Sequence, residues 1–188
     1  MEMTKEKLVE LMPEFNWIKD EELREKTIRV WLKACAESDW SNLTEIPFSG
    51  GFSPDPDNLV FHIRMVTDFS YEVAKISNEY REEKADVDIV VAGALLHDVC
   101  KLAEYSAKGG KSDWGNKVTH GIYGIHLAQS EGLPLGIIHI IASHTEKLGL
   151  PSKTLEAIIV RYCDNVVAAS SYLLARNMVK SNEKWVKL

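Results

Sequence analysis

The sequence predicts an all-α protein, and three observations carry that prediction. Apolar residues recur at helical spacing along most of the 188 residues, as in Phe61, Met65, Phe69, Val73 and Ile76. No stretch shows sustained two-residue alternation. The segments rich in Gly and Pro fall between the periodic runs rather than inside them.

A first helix is expected over residues 4–12, closed by Pro13. Asp20 offers an N-cap for a second, EELREKTIRVWLKACAES. Residues 47–58, PFSGGFSPDPDN, read as a loop. A long helix over 57–82 carries the apolar stripe named above, and another is expected over 86–104. Residues 107–117, AKGGKSDWGNK, form a second loop. Helices follow over 118–131, 134–146 and 152–179, divided by Gly132-Leu133-Pro134 and Gly149-Leu150-Pro151. With no internal repeat, this organisation implies one domain over 46–188, its motif-bearing core at 58–170. Residues 1–45 are then a helical lead-in packed against it.

The bulk numbers bound the function. Hydrophobic content of 45% and 27% charged residues are ordinary for a soluble globular chain. A net charge of -6 argues against a polymer nucleic-acid partner, which calls for a basic stripe. It leaves room for a small phosphorylated substrate, because a bound cation reverses the local field. The odd, widely spaced Cys35, Cys100 and Cys163 read as reduced thiols. MEMTKEKLVELM lacks the apolar stretch of a signal peptide, and the run IVVAGALL is too short to span a bilayer. The expectation is a cytoplasmic protein with no membrane partner. The helix of residues 20–40 is free to pack on the domain or on a second subunit, so a homo-oligomer stays open.

The chemistry lies in the histidines and aspartates. GALLHDVCK, residues 93–101, places His97 and Asp98 within an apolar run, and a buried lone carboxylate costs several kcal/mol. Adjacent helical residues point about 100° apart, so both reach one point only near the helix surface between them. A metal ion suits that point; an Asp98–Lys101 ion pair at spacing three is the plainer reading. His62, with Val66, Phe69 and Val73 at helical spacing, points into the core or a cleft wall, where a hydrogen-bonded core histidine is the alternative. Asp164, among Ile159, Val160, Val167 and Ala168, needs a partner: Arg161 at spacing three, or a metal. His120 opens a helix with Gly124 and Leu127 on its face, and His144 closes the next one. His126 and His139 point elsewhere and receive no role. The set His62, His97, Asp98, His120, His144 and Asp164 offers N and O donors without thiolate. That donor chemistry suits divalent Mn, Fe, Ni, Co or Zn rather than a cysteine-bound structural zinc.

The order H…HD…D, formed by His62, His97-Asp98 and Asp164 over residues 58–170, resembles the HD-domain metal-dependent phosphohydrolase superfamily. LLHDVCK is similar to the LLHDIGK-type signature of that family, with Cys100 where Gly is usual. The resemblance implies an HD-domain helical bundle, a five-helix core with the metal at its centre, and those four residues as ligands. His120 and His144 resemble the added ligands of members holding two metals, with Asp98 bridging. His144-Thr145 departs from the paired histidines of HD-GYP cyclic-dinucleotide phosphodiesterases, and no GYP follows.

The function expected on this resemblance is a phosphomonoesterase or phosphodiesterase acting on a small, nucleotide-like phosphate ester through a metal-activated water. Asp98 and Lys101 are its expected catalytic residues, Lys101 contacting a phosphate oxygen or the leaving group unless it is a solvated helix lysine. Lys108, Lys111 and Trp114 form either a lid or a plain exposed loop. Arg64, Tyr123 and Glu146 read as surface residues. Two rivals share the ligand set: a di-iron oxygenase cleaving C–C or C–P bonds, and a non-catalytic metal- or nucleotide-binding regulatory module.

Overall fold

In a computed structural model, which describes residues 1–48 and 58–175, the helices form two packed groups that meet on one buried helix. The predicted loop at 47–58 and the final turn to 179 fall largely or wholly outside these residues. Among the described residues the only extended pairings are isolated bridges, Pro47 with Asn58 and Tyr105 with Lys111.

The leading group is α1 (Lys5–Leu11), a 3-10 turn over Pro13–Trp17, and α2 (Glu21–Glu37). Thr4 and Asp20 cap the two helices by accepting from Lys7 N and Leu23 N. The second group is α3 (Leu59–Tyr80), α4 (Val87–Leu96), α8 (Leu135–Ser143) and α9 (Leu155–Ala175). Between α4 and α8 lie the short α5 (Lys101–Glu104) and α6 (Asp113–Lys117), then α7 (Ile122–Ser130).

The centre of the molecule is α4. Every residue from Val90 to Leu96 is buried, so this helix is apolar all round and has neighbours on each side. Gly93 lets α8 come close: a Cβ there would stand 2.4 Å from Ile140 Cδ1. From the other side, two indoles, Trp31 on α2 and Trp40 just after it, bracket the HD motif. Trp31 Nε1 donates to Leu95 O at 2.9 Å, and Trp40 Nε1 donates to Tyr105 O at 3.0 Å.

Two expectations need correction. The helix predicted over 86–104 ends at Leu96. Val99 N bonds Leu96 O and Lys101 N bonds Asp98 O, three-residue spacings that tighten the chain before α5 begins. The apolar content of the run hides this break, because the reason for it is polar: His97 Nδ1 takes the Ala94 carbonyl at 2.6 Å. The apolar stripe of α3 is the second. The buried face is Leu59, His62, Ile63, Val66, Ser70 and Ala74, whereas Phe69 and Val73 are each 43% exposed. They line a groove of about 570 Å³ with Ile158, Tyr162 and Val166 of α9. A helix apolar on two adjacent faces gives no sign in its period of which face goes inward.

Candidate metal centre

The break after α4 is what builds the site. His97 ends the helix as its cap, and Asp98 follows in the tightened turn. Across from them stand His62 on α3 and Asp164 on α9, with His120 just before α7 and His144 capping α8. All six sequence-predicted ligands therefore meet at one place, a cleft of about 120 Å³ that Phe48, Lys101, Thr145, Lys147 and Ala168 also line.

Asp98 divides the cluster in two. Its Oδ2 lies 3.6 Å from His62 Nε2 and 3.8 Å from His97 Nε2. Its Oδ1 lies 2.9 Å from His120 Nε2 and 3.6 Å from His144 Nε2. Asp164 Oδ1 joins the first side, 3.2 Å from His62 Nε2 and 3.8 Å from His97 Nε2. Among the described residues three triples have ligand atoms all within 4.8 Å of one another: His62, His97 and Asp98; Asp98, His120 and His144; and, beside the second, Cys100, Glu104 and His120.

The donor set fits cations. His97 and His144 each commit Nδ1 to a backbone carbonyl, Ala94 O at 2.6 Å and Ile141 O at 2.9 Å, which turns their Nε2 lone pairs inward. Each of these Nε2 atoms then faces another histidine Nε2 at 3.2 Å, His62 in one case and His120 in the other. Asp98 Oδ1, 2.9 Å from His120 Nε2, accepts no hydrogen bond of good geometry, although Asp98 is only 5% exposed. With His97 and His144 accepting at Nε2, each pair holds one proton, from His62 or His120 Nε2; a cation taking the place of that proton would meet two Nε2 lone pairs and the buried Asp98 carboxylate.

Burial pushes His97 down to about 4 despite the pull of Asp98 and Asp164, so its ring is neutral and ready to ligate. For His120 burial again opposes charge, but Cys100 and the carboxylates of Asp98 and Glu104 outweigh it and carry the ring up to about 11. Burial would raise Asp98 and Asp164 too. Lys101 and the neighbouring histidines outweigh it at Asp98, as do His62 and His97 at Asp164, and both stay below the ordinary carboxylate range.

The plainer pairings weaken. Lys101 Nζ is 3.9 Å from Asp98 Oδ1 and nearer to Glu104 Oε2, at 3.4 Å. Arg161 reaches Glu146 at 3.1 Å and the Ser143 carbonyl at 3.4 Å. His120 precedes its helix rather than opening it, and Gly124 serves packing: a Cβ there would meet Ile141 and Val99. The segment 107–117, expected to be a loop, holds α6 in its second half; before that helix Lys111 Nζ lies 3.3 Å from Glu104 Oε1, and within it Trp114 packs edge-on to Tyr123. Lys108 is exposed. Tyr123 is buried and not at the surface, its hydroxyl donating to Glu37 at 2.5 Å. Arg64 pairs with Glu14 at 2.7 Å, and Glu146 is an exposed partner of Arg161. His126 is exposed, and His139 Nε2 accepts from Lys153 N.

Sequence reasoning missed three residues here. Glu104 meets His120 Nδ1 at 2.7 Å, Phe48 stacks on His62 with centroids 5.0 Å apart, and Lys147 lines the cleft. For Glu104 a signal existed, a charge three residues after Lys101. Phe48, beside a Pro/Gly-rich stretch, carried none.

Comparison with known proteins places the chain among relatives. A tRNA (cytidine(56)-2'-O)-methyltransferase of Thermoplasma volcanium is 28% identical over 68% of this chain, which spans 37% of that protein. The dihydroneopterin 2',3'-cyclic phosphate phosphodiesterase of Methanocaldococcus jannaschii is 29% identical over 85% of the chain and 67% of its own length. Ribonuclease Y of Nitratidesulfovibrio vulgaris is 29% identical over 63% of the chain and 22% of the ribonuclease. The chain thus covers well under half of the methyltransferase and the ribonuclease. No solved structure matches it. The HD domain profile matches residues 62–169, from the first ligand candidate past the last and over more than half of the sequence. By that match the chain belongs to the HD domain family.

Proposed function

We propose that this protein hydrolyses a small, nucleotide-like phosphate ester at a centre of two divalent cations held by His62, His97, Asp98, Asp164, His120 and His144. One observation carries the reading: the two oxygens of Asp98 face two separate histidine pairs, the arrangement a bridging carboxylate needs. The helical lead-in of residues 1–45 acts as the support of this domain, which begins at residue 46.

Divalent ions bound there lower the pKa of a water and neutralise phosphate charge. The chain's own residues do the rest. His97, His144 and Asp98 hold fixed ligand directions because their elements are buried. Lys101 keeps its proton: burial opposes the charge, but Asp98 and Glu104 hold its pKa above the ordinary lysine value. It therefore offers a constant positive charge to a phosphate oxygen rather than a proton to the leaving group. Lys147 adds a second such charge at the rim. A cleft of about 120 Å³ and a net charge of -6 favour a small ester over a polymer. The cyclic phosphate in the name of the Methanocaldococcus jannaschii relative is a small phosphate ester.

The test is elemental analysis of protein purified without oxygen or added metal, followed by assay against nucleoside monophosphates, 2',3'-cyclic nucleotides and an RNA oligomer. Two ions per chain and turnover of a small ester are expected. Iron in both positions with oxygen-dependent turnover would favour the oxygenase chemistry that shares these ligands. Tight binding without product would mark a regulatory module, and cleavage of the oligomer alone would overturn the small substrate.

A further inference from the structure

The histidines of the centre are oriented by different means. His97 and His144 each end a helix, where the carbonyl three residues back is free, and each donates Nδ1–H to it. His120 has no such carbonyl, because it stands before α7 and is followed by Gly121 at φ 92°. A side chain takes the place of the missing backbone acceptor: Glu104 Oε2 lies 2.7 Å from His120 Nδ1.

We propose that Glu104 is a positioning residue for the second cation, accepting the Nδ1 proton of His120 so that Nε2 is the nitrogen turned to Asp98 and His144. The proposal rests on the two-cation reading above and adds to it a residue outside the ligand set. With Nδ1–H committed to Glu104, the proton that an incoming ion displaces is the one on Nε2, 2.9 Å from Asp98 Oδ1 and 3.2 Å from His144 Nε2. A carboxylate in this place also makes the ring a stronger donor to a metal.

Glu104 is itself fixed. It is 5% exposed, and its carboxylate takes Lys101 Nζ at 3.4 Å and Lys111 Nζ at 3.3 Å. Its backbone carbonyl accepts from Ser112 N at 3.0 Å. Helix α6 lies so close that a Cβ on Gly115 would stand 2.1 Å from that carbonyl oxygen. The alternative neighbour of the ring, Cys100 Sγ, is 3.5 Å from Nδ1 and 3.7 Å from Nε2 and so prefers neither orientation. Removal of Glu104 leaves His120 Nδ1 with that weak acceptor alone.

The experiment is a cobalt(II) titration of apoprotein, read by visible absorption and by bound metal, on wild type, Glu104→Ala and Glu104→Gln. Proton NMR of the apoproteins follows the Nδ1 proton of His120. Wild type is expected to take two ions and to show a downfield, slowly exchanging Nδ1 proton. Glu104→Ala should keep the first ion, weaken the second by about 10- to 100-fold and lose that proton signal. Glu104→Gln, whose carbonyl still accepts, should recover most of the second affinity, which a merely structural loss would not allow. Equal affinities in wild type and folded Glu104→Ala would overturn the proposal, as would equal loss of both ions. A wild type that binds no cobalt overturns the two-cation reading and, with it, the proposal; a wild type that binds two separates the two failures.

Discussion

The two sides of the centre are built from different material. His62 stands in the first turn of a helix of 22 residues and Asp164 in the middle of one of 21, and His97 ends a helix buried on every side. His120 stands in a turn between elements of five and nine residues, and His144 ends a nine-residue helix beside a 3-10 turn. The first side gets its geometry from packing. The second gets it from side-chain hydrogen bonds and close backbone contacts, above all those of Glu104. A ligand at the end of a buried helix needs only that helix's own carbonyl to orient it, as His97 and His144 show, whereas a ligand on a turn needs a side-chain partner to hold it.

The largest effect should come from the residue the two sides share. Asp98→Ala is expected to lose both ions and to cut ester turnover by more than about 100-fold; retention of full metal content would remove its bridging role. Next, His62→Ala and His120→Ala should separate the sides. His120→Ala is expected to bind one ion with near wild-type affinity, while His62→Ala disturbs the more deeply packed one. Equal metal loss in the two variants would mean that the sides are not independent.

Backbone substitutions probe the same contrast more gently. Gly93→Ala meets the flexible end of Ile140, whereas Gly115→Ala meets the Glu104 carbonyl itself. Each should cost about 1 to 3 kcal/mol in thermal unfolding. Only Gly115→Ala should also weaken the second ion, and an unchanged second affinity there would detach α6 from the centre.

The smallest effect is pH dependence of the apoprotein. His97 falls from 6.5 unfolded to about 4 folded, so the stability its neutral ring contributes is present above 6.5 and lost as pH drops towards 4. Glu104 falls from 4.5 to about 2, because burial is outweighed by His120 and Lys101, and its contribution is lost between those values. Melting temperatures in chelator should therefore decline in two windows. Glu104→Gln should shrink the lower window, to which Asp98 and Asp164 also contribute, and leave the upper one.

The contrast also explains what could be read from the sequence. His62, His97, Asp98 and Asp164 were legible because polar residues inside apolar periodicity are costly and call for a reason. His120 and His144 were legible as donors, but the break after Leu96 was not, since hydropathy is blind to a histidine taking its own helix's carbonyl. Glu104 looked like any charge at spacing three, because its role depends on a loop returning Gly115 against its backbone. Phe69 and Val73 were read as inward because an apolar side chain at helical spacing says nothing about which neighbour arrives.

The two indoles that bracket the HD motif bear on modularity. The region shared with the family begins at residue 62, yet Trp31 and Trp40 grip the chain at Leu95 and Tyr105, on either side of the motif. A chimaera carrying residues 62–169 alone would inherit every donor atom and leave both grips behind. The smallest transplantable unit is thus expected to include these two tryptophans, although both lie outside the family match.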